Sequence, residues 1–273
     1  MKAILDNLIN WMVSMKKTAA GKPVDPEGLI VLVYTLGKVA SSTVYRTISD
    51  YDKTKMDVHH VHFLSDNWLE KILPAGHPSM RHNIAEGKFI LDHIARHPEK
   101  RVKIITLTRE PIARDVSDIL QNWKPRFGGK DVNEVDADEI LGNFKSNNDF
   151  SYTTTWFDTE LFEYTGFDIY SVPFDTKKGY SIYKTEKFDI LVIQSEKLSG
   201  CFQAAFHEFL GVELDKLSVT NESDKKVGGE KIQELRKQLK YTRKELDRIY
   251  KLKYMTHFYS KAEIAGFYEK WMG

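Results

Sequence analysis

Apolar runs alternate along this chain with segments whose apolar residues recur at helical spacing. The first run, Leu29–Tyr34, is followed by a short turn at Thr35–Lys38 and then by a helical pattern. A wholly apolar run before a tight turn and a helix is typical of a buried parallel strand that opens a βα unit. Three similar runs predict further strands at Met56–Leu64, Lys103–Thr108 and Phe188–Ile193.

Helical patterns lie between and after these strands. They predict helices at Ala40–Ser49, Met80–His97, Pro111–Trp123, around Gly200–Leu210 and at Glu230–Lys251. The alternation of strands and helices predicts an α/β fold with a mostly parallel central sheet. Residues 128–183 are less regular and rich in polar and aromatic side chains. We expect this segment to be an insertion that contacts an acceptor substrate.

Residues 1–27 are predicted to precede the main α/β domain, which we expect over residues 28–273. In Met1–Met15 the apolar residues recur at helical spacing, and polar residues interrupt them. This pattern predicts an amphipathic helix rather than a signal peptide. The helix is expected to dock on the main domain, with contact to a membrane surface as the alternative. Thr18–Gly28 holds two prolines and two glycines and is typical of a linker.

Charge and cysteine content narrow the classes of function. The 273 residues include 40 Lys and Arg and 39 Asp and Glu, a net charge of +1. This balance gives no general attraction to nucleic acid, which is not an expected partner. The single cysteine, Cys201, excludes an internal disulfide framework and a multi-thiolate zinc site. No run reaches about 18 apolar residues, so we expect no transmembrane segment and a cytoplasmic protein.

The turn after the first predicted strand carries groups suited to an anion. Lys38 supplies a charge, Gly37 would permit a left-handed turn, and the start of a helix offers backbone amides. Hydroxyl donors follow at Ser41, Ser42 and Thr43. Val39 stands where a Walker A loop has Ser or Thr, so a magnesium-dependent ATPase is not supported. An ordinary serine-capped helix is the alternative reading.

A second candidate anion site follows the strand Lys103–Thr108. Arg109 stands at the strand end, and Ser117 lies eight residues further on, two turns into the next helix. The planar guanidinium of arginine suits a phosphate, so the two side chains are candidates for binding one anion. The alternative is that Arg109 pairs with a carboxylate and Ser117 lies on the helix surface.

The two elements together resemble those of the sulfotransferase family. This resemblance implies a P-loop-like three-layer fold, with helices on both faces of the sheet, and 3′-phosphoadenosine-5′-phosphosulfate as the cofactor. It implies that the first loop binds the 5′-phosphosulfate and that Arg109 and Ser117 bind the 3′-phosphate. The implied residues of the first loop are Gly37, Lys38, Val39, Ala40, Ser41, Ser42 and Thr43. The basic loop that covers the nucleotide in the family has its nearest counterpart at Lys225 and Lys226.

Later segments extend the resemblance. Glu196-Lys197-Leu198, with Phe209-Leu210-Gly211 after it, is similar to the family's Glu-x-Leu…Phe-Leu-Gly signature. Thr256–Trp271 looks like the closing segment of bacterial sulfotransferase-like proteins assigned to capsular polysaccharide synthesis. This similarity implies a glycan hydroxyl as the acceptor. The chain departs from the family at Arg109-Glu110-Pro111, where many members have Arg-Asp-Pro.

Sulfuryl transfer requires the acceptor hydroxyl to lose a proton, and the resemblance implies a histidine or glutamate base. His60 and His62 share a face of the predicted strand, and His62 is nearer the end that faces the first loop. We therefore favour His62 as the base, with His60 second, and Lys38 as the group that neutralises the leaving phosphate. Weaker candidates for the base are Glu86, Asp92 and His93. A zinc site on the strand histidines lacks further ligands, and no metal is predicted.

The predicted function is a sulfotransferase acting on a hydroxyl, with a glycan as the expected acceptor. The alternatives are a P-loop-type kinase and a non-catalytic nucleotide- or glycan-binding protein. Aromatic residues of the insertion are candidates for stacking on sugar rings, with core packing as the alternative. They are Tyr152, Trp156, Phe157 and Tyr164.

Overall fold

The computed structural model describes residues 29–51, 56–73, 81–146, 150–218 and 229–273. The predicted N-terminal helix and linker lie outside these residues, and so do Lys225 and Lys226.

Five strands form one sheet. They are β1 (Leu29–Tyr34), β2 (Met56–Val61), β3 (Val102–Thr108), β4 (Tyr180–Lys184) and β5 (Phe188–Gln194). The strand order is β2-β1-β3-β5-β4. β1, β2, β3 and β5 run parallel, while β4 pairs antiparallel with β5 at one edge. The prediction of a mostly parallel α/β sheet is thus confirmed. The edge strand β4 was not predicted, because it is short and only partly buried and has no long apolar run.

Twelve α-helices surround this sheet in the described residues. They are α1 (Ser41–Tyr51), α2 (Arg81–Arg96), α3 (Pro111–Gln121), α4 (Trp123–Arg126), α5 (Ala137–Ser146), α6 (Ser151–Trp156), α7 (Glu163–Thr165), α8 (Leu198–Leu210), α9 (Gly229–Gln238), α10 (Arg243–Tyr250), α11 (Lys253–Phe258) and α12 (Lys261–Trp271). Wider π-helical turns occur at Asn67–Ile72 and Phe157–Phe162, and 3₁₀ turns at Val132–Glu134 and Ile169–Ser171.

The single helix predicted at Glu230–Lys251 is wrong, because the structure has two helices there, α9 and α10. Thr242 ends the connection between them. Its hydroxyl accepts the Glu245 amide, and the Glu245 carboxylate accepts the Thr242 amide, which is a capping box. A capping box satisfies donors that only a helix start leaves unpaired. The apolar spacing continues across the break, so periodicity alone did not reveal it.

The core is the sheet and the aromatic side chains packed on it. Every residue of β5 is buried, and Ile30–Tyr34 of β1 are fully buried. Two of the aromatic residues considered for sugar stacking belong to this core, since Trp156 is 0 % and Phe157 is 1 % exposed. The stacking prediction is therefore wrong for these two residues, and their alternative, core packing, is what the structure shows.

Helices pack on both sides of the sheet at its edge strand β2. The His60 ring stacks on Tyr45 of α1, with ring centroids 5.7 Å apart. The His59 ring contacts Phe89 and His93 of α2. Because successive side chains of a strand point to opposite faces, α1 and α2 lie on opposite faces of β2. None of the helices in the described residues is both long enough and apolar enough to cross a membrane.

A buried carboxylate joins the segment 128–183 to the sheet. Glu160, in the turn Phe157–Phe162, is 0 % exposed. It accepts the Tyr34 hydroxyl at 2.6 Å, the Ser65 amide at 2.9 Å and the Ser65 hydroxyl at 2.5 Å, and also the Leu64 amide. Burial raises the pKa of Glu160, while the hydrogen bonds from Ser65 and Tyr34 lower it. This side chain therefore fixes the segment after β2 against the end of β1.

Glu160→Ala is expected to destabilise the fold strongly. It leaves several buried donors without an acceptor, and each unsatisfied buried group costs about 1–3 kcal/mol. We expect the free energy of unfolding, measured by urea denaturation, to fall by at least about 3 kcal/mol. The control is Glu163→Ala, because Glu163 is exposed in the next turn and its loss should change stability by no more than about 0.5 kcal/mol. Equal urea midpoints for Glu160→Ala and the wild type would contradict this assignment.

Candidate functional site

The carboxyl ends of the parallel strands bring the predicted motifs to one edge of the sheet. Thr35, after β1, is tied to β3, because its hydroxyl accepts the Leu107 amide at 3.0 Å. Arg109 follows β3, and its Nη1 donates to the Lys38 carbonyl at 2.7 Å. Glu196 follows β5 and accepts the Glu110 amide at 2.7 Å. Ligands of open α/β sheets bind at this edge.

The backbone of the first loop is held in an unusual conformation. Lys38 has φ 71° and Ala40 has φ 68°, while Gly37 has no positive φ. The expected left-handed turn therefore exists, but the expectation that Gly37 forms it is wrong. Non-glycine residues in this region cost about 1–3 kcal/mol each, and such strain concentrates at ligand-binding sites. Turns of this kind direct successive amides toward an anion.

The loop leads into the amino end of α1. The first hydrogen bond of this helix runs from the Val44 amide to the Ala40 carbonyl at 3.2 Å. The amides of Ser41 and Ser42 precede it, where a helix offers N–H groups and the positive end of its dipole. Thr43 lies in the same turn, and its carbonyl accepts the Thr47 hydroxyl at 2.8 Å. This arrangement suits a phosphate or a sulfate.

Lys38 is the cation of the first loop, and its pKa is lowered. Burial lowers its pKa to about 8, with Asp118 acting in the opposite direction and Arg114 and Arg109 lowering it further. Within the described part of the chain, no side chain forms a hydrogen bond or ion pair with its ammonium group. A partly desolvated ammonium beside two guanidinium groups favours the binding of an anion.

Arg109 connects the first loop with the second candidate anion site. Besides its bond to the Lys38 carbonyl, its backbone is fixed by Tyr254, whose hydroxyl accepts the Arg109 amide at 3.0 Å and donates to the Arg109 carbonyl at 2.9 Å. Burial lowers the pKa of Arg109, while Glu196 and Glu110 raise it. One guanidinium nitrogen is thus committed to the loop backbone, and Nε and Nη2 have no hydrogen-bond partner among the described residues.

Ser117 lies on α3 and is 8 % exposed. Its hydroxyl has no hydrogen-bond partner in the described ranges, and no contact joins it to Arg109. The structure therefore brings Arg109 to the first loop, while the convergence of Arg109 and Ser117 on one anion stays a prediction.

Arg114 is a site residue that sequence reasoning missed. Its Nε donates to the Gly37 carbonyl at 3.1 Å, and its guanidinium lies 4.7 Å from the centre of the Tyr152 ring. The Tyr152 hydroxyl in turn accepts the Gly37 amide at 3.2 Å, so this amide is already paired. Asp115 balances the charge of Arg114 through a 2.8 Å bond. No motif marks Arg114, because its contact spans 77 positions of the chain.

Glu110 has a structural role. It stands where many members of the family that this motif resembles have aspartate. Its side chain caps α3 by accepting the amides of Ile112 and Ala113. It also accepts the Tyr250 hydroxyl at 2.9 Å and the Trp271 indole N–H at 3.1 Å. Burial raises the pKa of this carboxyl, and the two capping amides lower it. Glu110 therefore ties the second candidate anion site, which begins at Arg109, to the C-terminal helices.

His62 lies directly after β2 and touches the first loop. Its Nδ1 is 2.6 Å from the Thr35 carbonyl oxygen, which only accepts hydrogen bonds, so Nδ1 carries the proton. In the neutral ring Nε2 then holds the lone pair that a general base needs. Burial lowers the pKa of His62, the Thr35 bond raises it, and the charges of Lys38 and Arg114 lower it further. The ring is therefore held neutral at pH 7.

The other candidates for the base are less well placed. The His60 ring meets the His62 ring edge-on at 4.8 Å, as their shared face predicts, but burial lowers the pKa of His60 to about 3. Glu86 and His93 lie on α2, which packs on the opposite face of β2, and burial raises the pKa of Glu86 to about 7. Asp92 is exposed and pairs with Arg96. The geometry at the first loop thus favours His62.

Residues 131–260 match the family model NKWYS, which is described as "Putative capsular polysaccharide synthesis protein". The match covers slightly less than half of the chain and includes β4, β5, Glu160 and Glu196, but not the Lys38 loop or Arg109. No curated protein and no solved structure matches the chain. Over this part of its length, the chain is similar to a family associated with the synthesis of capsular polysaccharides.

Proposed function

We propose that this protein is a sulfotransferase that moves a sulfuryl group from 3′-phosphoadenosine-5′-phosphosulfate to a hydroxyl, with a glycan as acceptor. The observation that carries the proposal is the hydrogen bond between Arg109 and the Lys38 carbonyl. It joins the two motifs of the resemblance into one cationic site at the carboxyl edge of the sheet. The proposal includes a P-loop-like three-layer arrangement and a cytoplasmic setting, in which the free thiol Cys201 stays reduced.

The residues present fit an anionic donor. The amides of Ser41 and Ser42 and the hydroxyl groups of the first turn of α1 would hold the 5′-phosphosulfate. Arg109 and Ser117 would hold the 3′-phosphate, and Lys225 and Lys226 would cover the nucleotide. The donor, when bound, supplies the sulfuryl group. Preformed donors and charges of this kind provide much of the barrier lowering in group transfer.

Two side chains would act on the reacting groups. His62 Nε2 would accept the proton of the acceptor hydroxyl, because Nδ1–H is held by Thr35. The Lys38 ammonium, which no described side chain neutralises by a direct contact, would balance the charge that develops on the leaving phosphate. His60 would support the His62 ring by edge-on packing rather than act as a base.

The glycan acceptor is supported by the polysaccharide description of the matching family. Of the four aromatic residues considered for sugar stacking, Tyr152 and Tyr164 stay partly exposed. Tyr152 lies beside the first loop through its bond to Gly37, whereas the Tyr164 ring packs on Tyr34. Tyr152 is therefore the better placed of the two for contact with an acceptor.

The nucleotide specificity tests the proposed donor. Adenosine 3′,5′-bisphosphate should bind more tightly than 5′-AMP, and Arg109→Ala should remove most of the difference. A charge-assisted hydrogen bond to a phosphate contributes about 1.5–3 kcal/mol, which corresponds to roughly 10–150-fold in affinity. Isothermal titration calorimetry measures both nucleotides. Ser117→Ala should reduce the same difference by a smaller factor.

The control for Arg109 is Arg101→Ala. Arg101 lies at the other end of β3, where it pairs with Asp189, so its loss should leave both affinities unchanged. If the wild type binds the two nucleotides equally, the proposed donor is wrong. Tight binding without any transfer of labelled sulfate to saccharides or phenols would instead support the non-catalytic alternative.

Replacement of the proposed base should affect turnover alone. His62→Asn is expected to lower the turnover number by about 10²–10⁴-fold, the usual contribution of a general base. The affinity for adenosine 3′,5′-bisphosphate should stay the same. His60→Asn, on the same face of the strand, should cause the smaller loss of turnover. Transfer of labelled sulfate to a panel of saccharides and phenols measures the rate, and near-normal turnover in His62→Asn would exclude His62 as the base.

Nucleotide binding should weaken at alkaline pH. The free protein loses the positive charge of Lys38 as the pH rises through about 8, so the affinity for adenosine 3′,5′-bisphosphate should be full below this pH and fall above it. In Lys38→Arg the guanidinium keeps its charge, and the fall should move to higher pH. Calorimetric titrations between pH 6 and 10 test this. An unchanged alkaline limb in Lys38→Arg would show that another group titrates.

A further inference from the structure

Three potential metal ligands converge on the face of β2 that is turned away from His60 and His62. Asp57 and His59 belong to β2, and His93 belongs to α2. Asp57 Oδ1 lies 2.9 Å from His59 Nε2, and Asp57 Oδ2 lies 2.6 Å from His93 Nε2. One ligand atom of each residue lies within 4.8 Å of the other two. The cluster is partly buried, with side-chain exposures of 22 %, 19 % and 12 % in chain order.

Both imidazoles turn Nε2 toward the same carboxylate. His93 Nε2 forms a hydrogen bond with Asp57 Oδ2, and His59 Nε2 lies against Asp57 Oδ1. The two ring nitrogens and the carboxylate therefore face one another across a gap short enough for one ion to contact all three. A cation between them would have two nitrogen ligands and one oxygen ligand.

The aromatic neighbours hold both imidazoles in place. The Phe89 ring stacks on the His93 ring at 6.2 Å with an interplanar angle of 12°, and it meets the His59 ring at 6.3 Å. The His97 ring packs edge-on against His93 at 5.0 Å. Rings whose orientation is fixed before binding lose less freedom when they take up an ion. The cluster is therefore preorganised rather than assembled from mobile surface side chains.

We propose that Asp57, His59 and His93 bind one Zn²⁺ ion, with water completing a tetrahedral set. Two imidazole nitrogens and a carboxylate oxygen are ligands that Zn²⁺ accepts. The ion joins the edge strand β2 to α2, on the face of β2 opposite His62, so this site is independent of the proposed sulfotransferase chemistry. The sequence did not predict this site, because neither a cysteine nor an HExxH helix completes a ligand set for the strand histidines. The third ligand is His93, which lies 36 positions from Asp57.

Zinc binding is tested on the intact chain by competition with a chromophoric chelator. We expect one Zn²⁺ ion per chain at micromolar concentration. Mg²⁺ in millimolar excess should not displace it, because Mg²⁺ prefers oxygen ligands. Co²⁺ in place of Zn²⁺ should give the visible absorption of a tetrahedral site. Failure to bind Zn²⁺ at micromolar concentration, or displacement of Zn²⁺ by Mg²⁺, would overturn the proposal.

Single substitutions of the proposed ligands test where the Zn²⁺ ion binds. Asp57→Asn and His93→Asn should each weaken Zn²⁺ binding by more than the roughly 10–100-fold that loss of an outer supporting partner costs. The control is His207→Asn on α8, because His207 also pairs with a carboxylate, that of Glu213, at 2.7 Å. Far-UV circular dichroism without metal checks that each variant is folded, and His59→Asn replaces any variant that is not. Equal Zn²⁺ affinity in folded Asp57→Asn and in the wild type would show that the ion binds elsewhere.

Discussion

The hydrogen bond from Arg109 to the Lys38 carbonyl is the contact through which the candidate site is assembled. It joins the segment after β3 to the segment after β1, and it fixes the carbonyl of a residue whose φ of 71° is otherwise unfavourable. With Arg114 on the Gly37 carbonyl, two guanidinium groups pair with consecutive carbonyls of one loop. The carbonyls are thereby turned toward the arginines, and the Lys38 ammonium is left available to an anion.

Buried carboxylates organise the structure around this contact. Glu160 fixes the segment after β2 against the end of β1, and Glu110 fixes the start of α3 against the C-terminal helices. Glu196 accepts the amide of Glu110 and so ties the segment after β5 to the second motif. Each of them accepts hydrogen bonds from groups distant in the chain, and burial raises the pKa of all three. These buried carboxylates thus hold the carboxyl edge of the sheet together, and the cations of the candidate site lie at the same edge.

The fold could be predicted from the sequence further than the site could. The parallel strands follow from local apolar runs, and the position of His62 beside the first loop follows from the pairing of β2 with β1. Arg114 and Glu160 could not be found in this way, because their partners lie 77 and up to 126 positions away. Local pattern also misplaced the left-handed residues, since it assigned to Gly37 a conformation that Lys38 and Ala40 adopt. Tertiary contacts decided that conformation.

The left-handed conformation of Ala40 has a consequence for how this protein can change over many generations. Ala40 is exposed and contributes only its backbone to the loop, so glycine in its place would relieve strain without removing a side-chain contact. Selection for stability alone would favour glycine there, at the expense of a loop that is less rigid before its ligand arrives. Alanine at this position therefore keeps the loop more rigid than glycine would, at the expense of backbone strain.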